Sequence, residues 1–306
     1  MNDFLVHSIT AMGTVVTIQV VGHGTDEQQR QARTEAVERA IGWFQQIHDS
    51  CTRFDPKSEL SQLTAQVGKP TPVSPFLYQA VRFALAVAEE SGGAFDPTVG
   101  HRMESRGFNR NLRSGMIVRT AIAPDRTASY RDVHVDPHRE AITLLRPLVL
   151  DLGAVAKGLA IDMAVRELES FANFAIDAGG DLYLGGCNTE GKPWAVGIRH
   201  PRDYEKLLTT LHVSDGAVCT SGDYEHHSPM AGEEHHIMDA RSGASATALA
   251  SVTVLAPSAM VADALATAAF VLGPKEGIAL LEQHGVEGLL VTPSLERFAT
   301  PGMRLD

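Results

Sequence analysis

The chain has 306 residues, of which 44% are hydrophobic, and a formal net charge of −11 at pH 7. That length and composition allow one large domain or two intimately joined ones, with a substantial buried core. The acidic balance argues against a nucleic-acid-binding surface, which needs clustered Lys and Arg. It leaves room for a phosphate ligand, because a bound cation and backbone amides supply local positive potential. Cys51, Cys187 and Cys219 lie far apart, so neither a zinc site nor a disulfide framework is expected.

Thr14 to Val21 is rich in β-branched residues and reads as a strand. Over 26–49, Ala36, Val37, Ala40, Ile41, Phe44 and Ile47 form an apolar stripe at helical spacing. A second helix fits 75–90 and stops at Gly92-Gly93. Strands follow near 132–135 and 141–150, then a helix from about 155 to 172. Strands alternate with glycine turns through 174–222, and another strand fits 248–255. A helix after Pro257, one at 275–284 and a strand at 286–291 complete the chain. The mixture lacks βαβ regularity, so we expect an α+β fold with antiparallel or mixed sheets and helices packed on one face.

The most apolar stretch, around 246–273, contains Pro257 and Asp263 and is not a membrane span. The first eight residues carry neither a basic segment nor an adequate apolar one. As written the chain reads as cytoplasmic; a mature periplasmic form without its leader would look the same.

From Ser242 to Pro274 the only charged residue is Asp263. On a helix, Asp263 and Thr267 are i,i+4 neighbours. A carboxylate in such surroundings is costly unless it is paired, hydrogen-bonded or bound to a metal. Carboxylate plus hydroxyl is a hard-oxygen pair suited to Mg²⁺; an Asp bonded to nearby backbone is the alternative. Leu150-Asp-Leu-Gly-Ala-Val-Ala-Lys-Gly158 joins an apolar strand to a helix, where amides and Lys157 could meet an anion. A plain strand-to-helix turn explains its spacing as well. Gly179 and Gly180 allow close backbone approach, while Asp181 reads as closing a turn. Phe95 and Asp96 precede Pro97 at a rigid turn; Phe95 could line a ring-binding cleft, and a core position is the alternative. His226, His227, His235 and His236 cluster with Glu233 and Glu234 without zinc-protease spacing, and all but His236 fall on the polar stretch 222–235 that we expect to be a loop. His236, before apolar Ile237-Met238, is the candidate base.

The order of these motifs is more specific than any one of them. Met12-Gly-Thr14, Phe54-Asp-Pro-Lys-Ser-Glu-Leu60, Gly93-Ala-Phe-Asp-Pro-Thr98 and Asp151-Leu-Gly-Ala-Val-Ala-Lys-Gly158 come first. Asp177-Ala-Gly-Gly-Asp181, Thr220-Ser-Gly222, His236-Ile-Met-Asp239 with Ser242-Gly243, and Ala262-Asp-Ala-Leu-Ala-Thr267 follow. Together they resemble the FAD:protein FMN transferase (ApbE) family over roughly 11–273.

The resemblance implies a single domain over 1–306 with a T-fold-like architecture and an FAD cleft between two halves. It also implies a Mg²⁺-dependent transfer of FMN from FAD to a Thr or Ser hydroxyl of a target flavoprotein, with release of AMP. Asp263 and Thr267 then look like side-chain metal ligands and Ala154 like a backbone-carbonyl ligand. Met12, Phe54, Ala94, Phe95, Asp96, Asp151, Lys157 and Ile237 match positions that line the FAD site. Gly179, Gly180, Thr220, Ser221 and Gly222 match the turns of its walls, and His236 matches the base. The partners so implied are FAD and an acceptor flavoprotein; an FAD pyrophosphatase or a non-catalytic FAD-binding protein are the rival readings. Three places depart from the family's usual pattern: Asp177 where Asn is common, Ala240-Arg241 in place of a Pro-containing turn, and the polar run after Gly100. Asp239-Ala-Arg-Ser-Gly-Ala-Ser245 also has the form of a flavin acceptor sequence, with Ser245 at the modified position.

Overall fold

The computed structural model describes residues 3–22, 26–111, 115–123, 125, 127–225, 227–228 and 234–305. The chain opens with a hairpin of β1 (Asp3–Ala11) and β2 (Thr14–Gly22), then α1 (Glu27–Cys51), α2 (Glu59–Thr64), β3 (Thr71–Pro72), α3 (Pro75–Glu90) and α4 (Gly100–Ser105). β4 (Val133–Asp136) and β5 (Ala141–Leu144) precede α5 (Gly153–Leu168), β6 (Phe174–Ala178), β7 (Asp181–Gly185), β8 (Trp194–His200), β9 (Asp203–Val213) and β10 (Gly216–Gly222). The short ribbon β11 (Met238–Asp239) and β12 (Ala244–Ser245) leads to β13 (Ser251–Ala256), α6 (Ala259–Leu272), α7 (Pro274–Gln283), β14 (Glu287–Val291) and β15 (Arg297–Ala299).

Eight strands form one antiparallel sheet in the order β1-β2-β6-β7-β10-β13-β14-β15. Side chains alternate across it. On one face Ala217, Cys219, Val252, Val254 and Leu290 join the main core under the helices, with α5 packed between α1 and α6. On the other face Val218, Leu289 and Val291 meet Val196, Ile198, Leu211 and Val213 of the β8–β9 ribbon. The α+β, antiparallel expectation holds. Among the described residues no helix is long and apolar enough to cross a membrane.

Local chemistry sets the element ends. Ser74 accepts from the Leu77 amide and Pro75 fills the first turn, which sets the start of α3 at Pro75. The strand expected over 141–150 stops at Leu144, before Pro147, which has no amide for a ladder. β1 was not anticipated. It is an edge strand whose Phe4 and Val6 are exposed, so its alternation marks no clear buried face. Its turn puts both Met12 and Gly13 at positive φ (50° and 80°), the twist a two-residue hairpin needs.

Candidate functional site between α5 and α6

The second turn of α5 touches the first turn of α6. A Cβ at Gly158 would stand 2.5 Å from the Ala259 carbonyl and 2.5 Å from the Met260 Cα, so only glycine allows this approach. One turn further along α5, Asp162 accepts from Ser258 Oγ (2.6 Å), the Ala259 amide (2.7 Å) and the Met260 amide (3.1 Å). It thereby satisfies donors that a helix start leaves open. The contact sets Lys157 and Gly158 of α5 against Asp263 of α6.

Asp263 is buried, and the Gly158 amide and Lys157 are its hydrogen-bonding or charged neighbours. Its Oδ2 makes no hydrogen bond and lies 3.8 Å from Lys157 Nζ. Burial pushes its carboxyl above the ordinary range, against the pull of Lys157 and Gly158. Lys157 contacts a second buried carboxylate directly, that of Asp181 at the start of β7. Asp181 also accepts from the Thr220 amide at 3.3 Å. One turn past Asp263, the hydroxyls of Thr267 and Ser221 are 3.1 Å apart. Thr220 Oγ1 bonds Thr253 Oγ1 at 2.9 Å on the neighbouring strand.

The glycine turns close the same end of the sheet. Gly179 and Gly180 have φ of 69° and 93°, and a Cβ on Gly179 would collide with Thr14, two residues past Met12. Asp177 accepts from the Gly180 amide at 2.9 Å. An Asn there would offer the same oxygen, so this departure from the family pattern preserves the turn.

A second cluster forms just before α5. Arg53, itself buried, pairs with Asp151 at 2.5 Å, donates to the Phe108 carbonyl at 2.6 Å and lies 4.2 Å over the Phe54 ring. Burial raises the Asp151 carboxyl, but the Arg53 charge and hydrogen bond outweigh it and hold the net value below the carboxylate range. The Gly153 amide and the charge of His236 act in the same direction. His236 therefore stands within electrostatic reach of Asp151. It is half-buried and followed by buried Ile237.

The neighbouring His235 is structural. Its Nε2 faces the Ala246 carbonyl at 2.8 Å, its Nδ1 faces the Ile237 amide at 3.3 Å, and its ring meets Phe270 edge-on. Burial lowers its pKa, which favours the neutral imidazole that donates from one nitrogen and accepts at the other. His226 and Glu233 of the histidine-rich run lie outside the described residues.

Asp96 and Phe95 are buried. Asp96 accepts from the Thr98 amide (2.8 Å), the Thr98 hydroxyl (2.7 Å) and the Tyr130 amide (3.0 Å), while burial raises its carboxyl. It holds a turn and lines a cavity of about 220 Å³ with Gly93, Arg102 and Ala240. Ala94 is fully buried, and its carbonyl accepts from the Ala240 amide at 3.2 Å. The other two departures from the family pattern meet here. Arg102 donates to the Ala240 carbonyl and Arg106 to the Gly243 carbonyl, so the polar run after Gly100 clamps the turn that lacks its proline.

The structure thus gathers Lys157, Asp263, Thr267, Ser221, Thr220, Gly179 and Gly180 at one pole, and Asp151, Phe54 and His236 at another. The α5 start, which carries Ala154, lies between them. Sequence reading missed Arg53 and Asp162 as partners of this site and took Asp181 for a turn residue. The donors near Asp263 are hard oxygens: a buried carboxylate with an orphaned oxygen and the Thr267 hydroxyl. That set fits Mg²⁺ rather than a soft metal. Among the described residues no group of three or more His, Cys, Asp and Glu is placed to hold a metal ion.

The sequence profile described as the ApbE family matches residues 12–290. An FAD:protein FMN transferase of Treponema pallidum is 34% identical, the match covering 88% of this chain and 80% of that protein. An FAD:protein FMN transferase of Vibrio cholerae is 28% identical over 94% of this chain and 87% of its own. The crystal structure of an ApbE protein from Thermotoga maritima superposes with a TM-score of 0.83 at 27% identity, covering 98% of this chain and 97% of that one. The flavin transferase ApbE from Vibrio cholerae gives 0.81 at 26% identity, with 98% of both chains covered.

Proposed function

We propose, from the premise that this chain belongs to the ApbE family, how its residues carry out flavin transfer. The protein is a flavin transferase: FAD is the substrate and a flavoprotein receives FMN. Our reading adds Mg²⁺, cleavage of the FAD pyrophosphate with release of AMP, and a Thr or Ser hydroxyl as acceptor.

Asp263, Thr267 and the Ala154 carbonyl would hold the metal. In helical register Ala154 is the i−4 acceptor of Gly158, and the second lone pair of its carbonyl oxygen would be available to a cation. Mg²⁺ held there supplies the charge neutralisation that pyrophosphate cleavage needs. Lys157 and the positive end of the α5 dipole would face the phosphates. Met12, Phe54, Ala94, Phe95, Asp96, Asp151 and Ile237 would line the FAD site, with Gly179, Gly180, Thr220, Ser221 and Gly222 as its walls.

His236 is the base in this reading. It takes the acceptor proton as the hydroxyl oxygen attacks the FMN phosphorus, the pyrophosphate P–O bond breaks and AMP leaves. A Ser or Thr hydroxyl is a weak nucleophile without such help. The orphaned Asp263 oxygen beside Lys157 and Thr267 is the observation that carries the proposal.

Incubation with FAD and Mg²⁺, with and without an acceptor flavoprotein, is the test. Acceptor-bound flavin supports transfer, free FMN alone indicates a pyrophosphatase, and unchanged FAD indicates binding only. His236→Ala should slow transfer by about 10²-fold or more while FAD affinity changes little. An unchanged rate would remove His236 from the mechanism.

A further inference from the structure

We propose that Asp181 is a positioning residue that holds the Lys157 ammonium off Asp263 and so keeps the Asp263 carboxylate open to a divalent cation. The inference rests on the reading of Asp263 as a metal ligand.

One cation here faces two buried carboxylates. Lys157 Nζ contacts Asp181 directly but stands 3.8 Å from Asp263 Oδ2, an oxygen with no hydrogen bond. Both carboxylate side chains are almost inaccessible, at 5% and 9% exposure, so neither finds compensation in water. Asp181 is fixed independently of the lysine. It begins β7 opposite Ala178, and its Oδ1 takes the Thr220 amide of β10. Its carboxylate therefore stays where it is, and the flexible lysine comes to it.

The consequence follows from charge. Paired with Asp181, the ammonium is neutralised and Asp263 keeps a free oxygen and its negative charge. Without the Asp181 charge, Asp263 becomes the nearest anion. A movement of about 1 Å would bring Lys157 to charge-assisted hydrogen-bond distance of it. The ammonium would then cover the lone pairs that a cation needs and repel that cation.

Mn²⁺ titration of the whole protein, followed by electron paramagnetic resonance, tests this without turnover. D181N should weaken Mn²⁺ binding about tenfold or more, the range for residues that orient a metal ligand. Adding K157M to D181N should restore most of the loss, because the competing ammonium is gone. K157M alone should bind Mn²⁺ at least as tightly as the unaltered protein, a result that does not depend on how well D181N folds. Unchanged binding in D181N, a folded double variant as weak as D181N, or weakened binding in K157M would each overturn the role of Asp181. If the unaltered protein binds no Mn²⁺, or D263N binds it equally well, the ligand reading of Asp263 fails instead.

Discussion

The amide of Ala259 donates to the carboxylate of Asp162 across 2.7 Å, tying the start of α6 to a residue 97 positions earlier on α5. With the Ser258 hydroxyl and the Met260 amide on the same carboxylate, α6 has little freedom to rotate or slide against α5. Asp263 lies on the turn that follows. The spacing between Lys157 and Asp263 is therefore a property of the helix junction more than of either side chain's rotamer. Predictions about this site are predictions about that junction first.

Gly158→Ala tests the junction. The added Cβ meets backbone at 2.5 Å on α6, which cannot yield as a flexible side chain would. We expect a loss of about 1–3 kcal/mol in denaturant unfolding, the range for overpacking a core. Divalent-cation affinity should fall with it, because α6 is pushed away from Lys157 and Ala154. A stable Gly158→Ala protein with normal affinity would show that close α5–α6 contact is not required.

Asp263→Asn separates function from stability. In the metal-free protein the Asp263 carboxyl is raised by burial, so its ionised form opposes folding. For a raised carboxyl, stability falls as pH rises from the unfolded value, about 3.9, through the folded one. Asn removes that penalty at neutral pH. We expect a metal-free Tm unchanged or higher by calorimetry, with transfer activity abolished. A Tm drop of several degrees would make Asp263 a structural residue.

Arg53→Met tests the second cluster with the opposite sign. Arg53 depresses the Asp151 carboxyl, so the pair contributes stability in full above the unfolded value of about 3.9 and loses it as pH falls through the folded one. Removing Arg53 leaves a half-buried carboxylate with the Gly153 amide as its remaining partner, at a cost of about 3 kcal/mol near pH 7, the low end for breaking a buried pair. The Asp151 carboxyl should then rise above its unfolded value, so the variant recovers part of the loss as pH drops toward 5. Urea unfolding at pH 7.5 and pH 5 measures both. A gap between variant and unaltered protein that does not narrow at pH 5 would refute this account.

The parts of this molecule visible in its sequence are those with local causes. α3 runs over Pro75–Glu90 as anticipated because its Ser-Pro start and the glycines beyond it are neighbours in the chain. Asp263 and Thr267 stood out because a lone charge in an apolar stretch is conspicuous without any structure. Asp181 did not, since its two partners, Lys157 and the Thr220 amide, come from α5 and β10. Arg53 was equally silent: a single arginine acquires meaning only when the fold sets it 98 positions away from its carboxylate. The three departures from the family pattern were visible in sequence, but what takes their place was not. In three dimensions Asp177 still closes its turn, and Arg102 and Arg106 take over the missing proline's task.

Ser245 sits in an acceptor-like sequence, and the structure argues against its modification. Its Oγ donates to the His235 carbonyl at 2.7 Å, and its backbone pairs with Met238 in the β11–β12 ribbon. The Ala246 amide extends that pairing to the Ile237 carbonyl at 3.0 Å. For Ser245 to attack a phosphate in line, β12 would have to unpair from the strand that follows His236, displacing the base it needs. The Asp239 carbonyl accepts from the Gly243 amide at 2.7 Å, so the Asp and Gly of the sequence already serve the turn. After incubation with FAD and Mg²⁺, we expect intact-mass analysis to show no FMN adduct on a preparation that is active toward an external acceptor. An adduct that disappears in Ser245→Ala would overturn this and show that the ribbon opens during the reaction.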